Sequence, residues 1–328
     1  MINNNKRIPV HILTGFLGSG KTTLLREYIE QGSAHRTAFI INEVGDIGID
    51  HHLTQRLDGE TLLLESGCLC CEVRNDLKAS LLALLNQDTN EHLEQIIIET
   101  TGLANPAPIL ATIFNDRELS QAVVKGKIVT TVDALTAEQC ARDIPEWSNQ
   151  LSSADSLIFT KTEKLSESDI HRLQNLCSAT NPFASFYIKH PNNTATLAQA
   201  IHSTTPPRLL QDTHEQPAYF SIRSMANHSA IQTEAINVES VDWQRFSIWL
   251  SMILYRYNDQ ILRVKGILKD SNTGNYVLLN SVRKILAPLE IIDKETLNSP
   301  SLGLVFITRG LTPNDITASF NAFDISPN

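Results

Sequence analysis

Three features that would each define a class of protein are missing from the sequence. It contains no run of ~20 apolar residues, so we do not expect the chain to enter a membrane. Only five of its 328 residues are cysteine, which is too few for a disulfide framework. The net charge is −9 and no long basic tract occurs, which argues against a nucleic-acid partner.

What is present is the composition of an ordinary globular protein, with 42% hydrophobic and 19% charged residues. This composition is ample for a buried core, and the length suggests two domains. The first ten residues, MINNNKRIPV, hold no apolar stretch long enough for a signal peptide. We therefore expect a cytoplasmic protein whose thiols stay reduced.

Cys68, Cys70 and Cys71 lie together in the segment ESGCLCC, although the rest of the chain is poor in cysteine. The cluster could be a disulfide, a group of buried apolar side chains, or a metal site. Vicinal cysteines such as Cys70 and Cys71 are poorly placed to pair with each other. Thiolates are soft ligands suited to Zn²⁺, and three of them leave one tetrahedral position open, which suits transfer between proteins. Buried apolar thiols stay an alternative.

The segment GFLGSGKT, Gly15 to Thr22, fits the G-x-x-x-x-G-K-[ST] pattern of a phosphate-binding loop. The apolar run from Ile8 to Leu13 predicts a strand before it, and leucines at helical spacing from Thr23 to Glu30 predict a helix after it. Loop N–H groups and the helix N-terminus would then face the phosphates. We expect Lys21 to reach the β- and γ-phosphates and the Thr22 hydroxyl to bind Mg²⁺. The predicted phosphate-binding residues are Gly15, Gly18, Ser19, Gly20, Lys21, Thr22 and Thr23.

Two acidic residues end further predicted strands. The run from Gln95 to Ile98 leads to Glu99, a position from which a carboxylate can hold the Mg²⁺ shell. An ordinary surface glutamate is the alternative. Three residues on, Gly102 can offer its backbone N–H to the γ-phosphate. Asp133 ends the other strand, where we expect it to cap a turn or helix rather than bind a ligand.

The segment TKTE, Thr160 to Glu163, follows another predicted strand and stands where many GTPases carry Asn-Lys-x-Asp. A carboxylate there accepts hydrogen bonds from the N1 and N2 donors of guanine, a pair that adenine lacks. The chain keeps Lys161 and a carboxylate, although Glu163 is one methylene longer than aspartate and Thr160 replaces asparagine. The pattern favours GTP and GDP, with a solvated loop as the alternative.

Together these motifs resemble those of the CobW-like metallochaperone GTPases. LTGFLGSGKTTLL, INEVGDIGID, ESGCLCC and IIIETTGLANP occur in that family's order, closely from Val10 to Pro182 and more loosely from Tyr219 to Phe323. The resemblance implies a Mg²⁺-dependent GTP hydrolase, slow without a partner, that delivers a transition metal to a client metalloprotein. Zn²⁺ is the metal it implies first, with Co²⁺ and Fe²⁺ in other branches.

The same resemblance assigns further residues. INEVGDIGID is its switch segment, in which Glu43 would position the attacking water or a magnesium-bound water, and Asp46 would join the metal site. Lys21 and Glu99 complete the predicted catalytic set. Metal binding and nucleotide state are expected to bias each other reciprocally.

Other functions stay open at this point. One is a cobalt or iron insertase for a single enzyme, and another is a nucleotide-gated metal sensor whose hydrolysis is incidental. A kinase acting on a small molecule is disfavoured by the paired cysteines. A homo-oligomer is also left open.

The predicted fold is an α/β P-loop domain with a mainly parallel sheet, followed by a smaller α+β domain. The predicted limits are residues 1–188 for the first domain, 189–217 for a polar linker and 218–328 for the second. In the second domain, apolar positions at helical spacing predict a helix capped by Asp242. Strand-like runs around it predict a largely antiparallel sheet.

Overall fold

The structure is a computed structural model that describes residues 7–31, 36–41, 62–65, 73–86, 93–190, 196–203, 231–238, 240–293 and 302–323. The chain divides into two compact units, one with Met1–Gln174 and Ala184–Thr205, the other with Asn175–Phe183 and Pro206–Asn328. None of the described helices is long and apolar enough to cross a membrane. The domain limits given above stay a prediction.

The first unit is built on one sheet. Its strands are β1 (Ile8–Gly15), β2 (Thr37–Ile41), β3 (Leu62–Glu65), β4 (Gln95–Glu99), β5 (Val123–Asp133), β6 (Ser156–Thr160) and β7 (Ser185–Ile188). They lie in the order β3-β2-β4-β1-β5-β6-β7, and every described pair is parallel. All residues of β2 and β4 are buried, as expected when helices cover both faces of a parallel sheet. The predicted parallel α/β fold is confirmed.

Helices connect these strands. They are α1 (Lys21–Glu30), α2 (Val73–Leu85), α3 (Pro106–Asn115), α4 (Leu119–Ala122), α5 (Ala137–Asp143), α6 (Pro145–Ser153), α7 (Glu167–Thr180) and α8 (Thr196–His202). Helix α8 falls within residues 189–217, the stretch predicted as a linker. Leu197, Ala200 and Ile201 share one face of α8 and are buried in the core of the first unit, and this burial holds the helix in place.

The second unit contains β8 (Ile231–Asn237), β9 (Ser240–Val241), β10 (Ile261–Asp270), β11 (Tyr276–Val282), β12 (Ile285–Leu286), β13 (Glu290–Ile292), β14 (Gly303–Arg309), α9 (Trp243–Arg256) and α10 (Pro313–Ala322). Strands β12-β11-β10-β14-β8 form an antiparallel path, and β9 pairs in parallel with β10. Asp242 accepts a hydrogen bond from Arg245 N at 3.0 Å, so the predicted cap of α9 is confirmed. Trp249 and Phe306 pack edge-to-face in the core.

His11 is a buried histidine inside β1. Its Nδ1 accepts a hydrogen bond from Lys127 N at 2.9 Å. Burial, with smaller contributions from the nearby His202, Lys125 and Lys127, lowers the pKa of His11 from 6.5 to about 3. The folded protein therefore keeps this imidazole neutral at pH values where the unfolded chain would protonate it.

This burial predicts acid sensitivity. The stability contributed by neutral His11 is present above pH 6.5 and is lost as the pH falls toward 3. From this group we expect a loss of about 2 kcal/mol in the free energy of unfolding between pH 7 and pH 5. Urea unfolding of the parent and His11→Gln at both pH values measures it, since glutamine keeps an acceptor but cannot be protonated. Equal losses in the two proteins would contradict the assignment.

Candidate functional site

The glycine-rich loop joins β1 to α1 at the carboxyl edge of the parallel sheet. Gly20 precedes α1 with a φ of 87°, a left-handed conformation that glycine adopts without strain. Ser19 is buried, and its Oγ lies 2.6 Å from Thr131 Oγ1 on β5. The loop is thus fixed against the neighbouring strand and leads directly into the N-terminus of α1, the end of a helix that favours phosphate.

Lys21 is the first residue of α1, and its side chain turns back over the loop. Its Nζ donates hydrogen bonds to Gly15 O at 3.0 Å and Phe16 O at 3.3 Å. The residue is only 9% exposed although it carries a charge. The ammonium group therefore lies directly over the loop, within reach of phosphates that the loop would hold.

Thr22 and Glu99 meet although 77 positions separate them in the sequence. Thr22 Oγ1 donates a hydrogen bond of 2.7 Å to Glu99 Oε1 at the carboxyl end of β4. Glu99 is buried, so the alternative of an ordinary surface glutamate is excluded. A hydroxyl and a carboxylate oxygen are the hard ligands that Mg²⁺ takes beside phosphate, so the donor set fits this ion.

The loop after β4 packs directly on the phosphate-binding loop. A Cβ added to Gly102 would lie 2.7 Å from Leu17 N and 2.8 Å from Leu17 Cα, so only glycine fits at this distance. Thr100 Oγ1 donates to Thr14 Oγ1 at 2.8 Å and holds the start of the same loop to β1. Gly102, whose N–H is predicted to meet the γ-phosphate, is therefore adjacent to the phosphate-binding loop.

Thr160 contacts the phosphate-binding loop, which the sequence did not predict. Its Oγ1 donates to Ser19 O at 2.9 Å, and its Cγ2 would lie 3.6 Å from a Cβ added to Gly20. The TKTE segment is thereby tied to the phosphate-binding loop. A threonine in place of the usual asparagine preserves a side-chain donor at this position.

Lys161 and Glu163 lie at the same carboxyl edge. Lys161 has a φ of 57° and its Nζ forms a 2.6 Å ion pair with Asp133 Oδ2. Asp133 Oδ1 also accepts from Leu135 N, so the predicted cap is confirmed and a contact to Lys161 is added. Glu163 is exposed and free to face solvent or a base.

The remaining predicted site residues fall into two groups, those that the structure describes and those that it does not. Gly15 ends β1, Gly18 is exposed in the loop, and Thr23 is an exposed residue of α1. Glu43, Asp46, Cys68, Cys70 and Cys71 lie outside the described residues. Among the residues that are described, no group of three or more His, Cys, Asp or Glu side chains is placed to hold a metal ion.

The site and the fold define a P-loop nucleotide hydrolase. Residues 9–187 match the family model of the CobW/HypB/UreG nucleotide-binding domain, and residues 236–324 match the cobalamin synthesis protein cobW C-terminal domain. The first match covers more than half of the chain. The chain belongs to this family and is a GTP hydrolase, for which GTP, GDP and Mg²⁺ are the ligands.

Named relatives agree with this assignment. The chain is 30% identical over 284 residues to zinc chaperone YjiA of Escherichia coli, covering 85% of this chain and 87% of that protein. It is 26% identical over 358 aligned positions to zinc-regulated GTPase metalloprotein activator 1 of Schizosaccharomyces pombe, covering 98% and 84%. The crystal structure of a Zn(II)-bound triple mutant of the YjiA GTPase superposes with a TM-score of 0.71 at 25% identity, covering 97% of this chain and 99% of that one.

If Thr22 and Glu99 bind Mg²⁺ together, removing the Thr22 hydroxyl should weaken Mg²⁺ binding. Thr22→Val keeps the branched shape but removes the hydroxyl, so the Mg²⁺ concentration for half-maximal GTP hydrolysis should rise by about 10- to 100-fold. A Mg²⁺ titration of steady-state hydrolysis measures this. Thr112→Val, on α3, is the matched control and should leave the titration unchanged. An unchanged Mg²⁺ requirement in Thr22→Val would remove Thr22 from the ion site.

Proposed function

We propose that this GTPase couples GTP binding and hydrolysis to the binding of a transition metal and its delivery to a client metalloprotein. Zn²⁺ is the proposed metal, and Cys68, Cys70 and Cys71 are its proposed ligands. Their thiolates would leave one coordination position open for exchange with the client. The proposal places the protein in the cytoplasm, where thiols stay reduced.

The observation that carries the proposal is one row of residues across the sheet. Leu13 pairs with Glu99, Glu99 with Ile41, and Ile41 with Glu65. With ~4.8 Å between neighbouring strands, the backbone of Glu65 lies about 10 Å from that of Glu99. Strand β3 ends on Glu65, at the edge of the sheet where Glu99 meets Thr22, and Cys68 follows three residues later in the sequence.

The strand between these two positions supplies the proposed switch. Strand β2 ends at Ile41, next to Glu99 on one side and Glu65 on the other, and INEVGDIGID continues from it. We assign Glu43 to position the attacking water and Asp46 to the metal site. The proposed switch begins between Glu99 and Glu65, and in this proposal it responds to both ligands, so each ligand would bias the affinity for the other.

The names of the relatives support zinc before other metals. Two of them are called a zinc chaperone and a zinc-regulated GTPase metalloprotein activator, and the YjiA structure is Zn(II)-bound. Co²⁺ and Fe²⁺ are tested as competitors, because thiolate ligands also accept them. If the protein is instead a cobalt or iron insertase, Co²⁺ or Fe²⁺ should displace Zn²⁺ under matched conditions.

Single-turnover zinc release tests delivery. Zinc-loaded, reduced protein is mixed with Mg²⁺ and GTP, or with Mg²⁺ and a non-hydrolysable GTP analogue, in the presence of a chromogenic zinc chelator as acceptor. Delivery coupled to hydrolysis predicts zinc release at the rate of phosphate release with GTP and little release with the analogue. Equal release with both nucleotides would favour a nucleotide-gated sensor, and no release with either would refute delivery.

A further inference from the structure

Gln150 on α6 is a fully buried polar residue that the sequence patterns did not mark. Its Nε2 donates two hydrogen bonds to the loop after β4, to Gly102 O at 3.0 Å and to Ala104 O at 3.1 Å. Both N–H groups of the amide are thereby used on one short segment. We call this pair of contacts the Gln150 bridge.

The orientation of the Gln150 amide follows from these partners. Two backbone carbonyls can only accept, so the nitrogen must face them and the oxygen must point away. The oxygen Oε1 is buried and has no hydrogen-bond partner among the described residues. The side chain is therefore held by its two donated bonds, and its main chain by Thr130 Oγ1, which donates to Gln150 O at 3.3 Å.

The bridged loop lies between Gln150 and the phosphate-binding loop. Gly102 packs on the backbone of Leu17 on one side, and its carbonyl is held by Gln150 on the other. A displacement of Gly102 would need either the Leu17 contact to open or the Gln150 bridge to break. The position of the Gly102 peptide relative to the phosphates thus depends on a residue 48 positions away in the sequence.

We propose that Gln150 is a positioning residue for GTP hydrolysis, which acts by holding Gly102 in the place where its N–H meets the γ-phosphate. The inference rests on this proposed role of Gly102 and does not depend on metal delivery. Gln150 touches neither nucleotide nor Mg²⁺ in this account. Its effect is specific to the triphosphate, because GDP has no γ-phosphate for Gly102 to meet.

Gln150→Met tests the proposal, since methionine fills a similar volume but donates no hydrogen bond. We expect kcat for GTP to fall by about 10- to 100-fold, the size of effect that small misplacements of active-site groups produce. We expect the affinity for a non-hydrolysable GTP analogue to fall about 10-fold relative to the affinity for GDP. Steady-state kinetics and nucleotide titrations, both in zinc-free buffer, measure these quantities.

Two further variants separate positioning from folding. Ser152→Ala removes a buried hydroxyl of the same helix that donates to Asn149 O, so it should leave the ratio of analogue to GDP affinity unchanged. Gln150→Glu presents a donor only when protonated, so its kcat relative to the parent should be higher at pH 6 than at pH 8.

The proposal is overturned if Gln150→Met keeps the parent kcat and affinity ratio, or if both nucleotides weaken equally. A pH-independent relative kcat for Gln150→Glu would also overturn it. A parent protein that shows no nucleotide-dependent zinc binding would refute the proposed function and leave this inference intact.

Discussion

Replacing Lys21 with methionine is expected to lower kcat for GTP hydrolysis by about 100- to 1,000-fold, the cost of removing one preorganised charge-stabilising donor. The Nζ of Lys21 lies over the loop, held by the carbonyls of Gly15 and Phe16. Methionine keeps the apolar stem that packs there but removes the charge. Phosphate release under saturating GTP and Mg²⁺ measures the effect.

The control for this substitution is Lys284→Met, which removes an exposed lysine from the second unit. It should keep the parent kcat. Thermal melting of both variants shows whether they are folded. A folded Lys21→Met protein with a kcat within about threefold of the parent would mean that Lys21 does not stabilise the transition state.

Cys70→Ala is expected to weaken zinc binding by about 100-fold or more. Structural zinc sites bind with roughly 10–16 kcal/mol of apparent free energy at neutral pH, and one of three thiolates carries a large share of it. Competition with a chelating zinc indicator, on reduced protein, measures the affinity. Because thiols must lose a proton to bind the metal, the affinity of the parent should also fall as the pH is lowered.

The matched control is Cys140→Ala, which removes a buried free thiol of α5. Zinc affinity should be unchanged in this variant, since Cys140 is remote in sequence from the proposed ligands. If both variants bound zinc like the parent, the cluster would be a group of buried apolar thiols and the proposed metal site would be wrong.

The parts of the site that sequence could predict are local. The strand, glycine-rich loop and helix around Lys21 are determined by consecutive residues, and β1 and α1 form as expected. The same holds for β4 ending on Glu99. Periodicity and loop chemistry decide such elements over a few residues, so no knowledge of distant contacts is needed.

The parts that sequence could not predict join distant segments. Thr160 reaches Ser19 across 141 positions, and this contact depends on the strand order β1-β5-β6, which no local pattern encodes. The sequence did not indicate that Gln150 is buried, because a glutamine in an amphipathic helix usually faces solvent. Helix α8 was missed because its three buried apolar residues stand in a polar, proline-rich stretch.

A zinc titration in three nucleotide states shows whether the nucleotide bound to this GTPase sets its affinity for zinc. Reduced protein is titrated with Zn²⁺ against a chelating indicator in the presence of Mg²⁺ with GDP, with a non-hydrolysable GTP analogue, and with neither. We expect zinc affinity to differ between the GDP and analogue states, and Cys70→Ala to abolish tight binding in both. Equal zinc affinity in all three states would contradict the coupling of the nucleotide cycle to the metal.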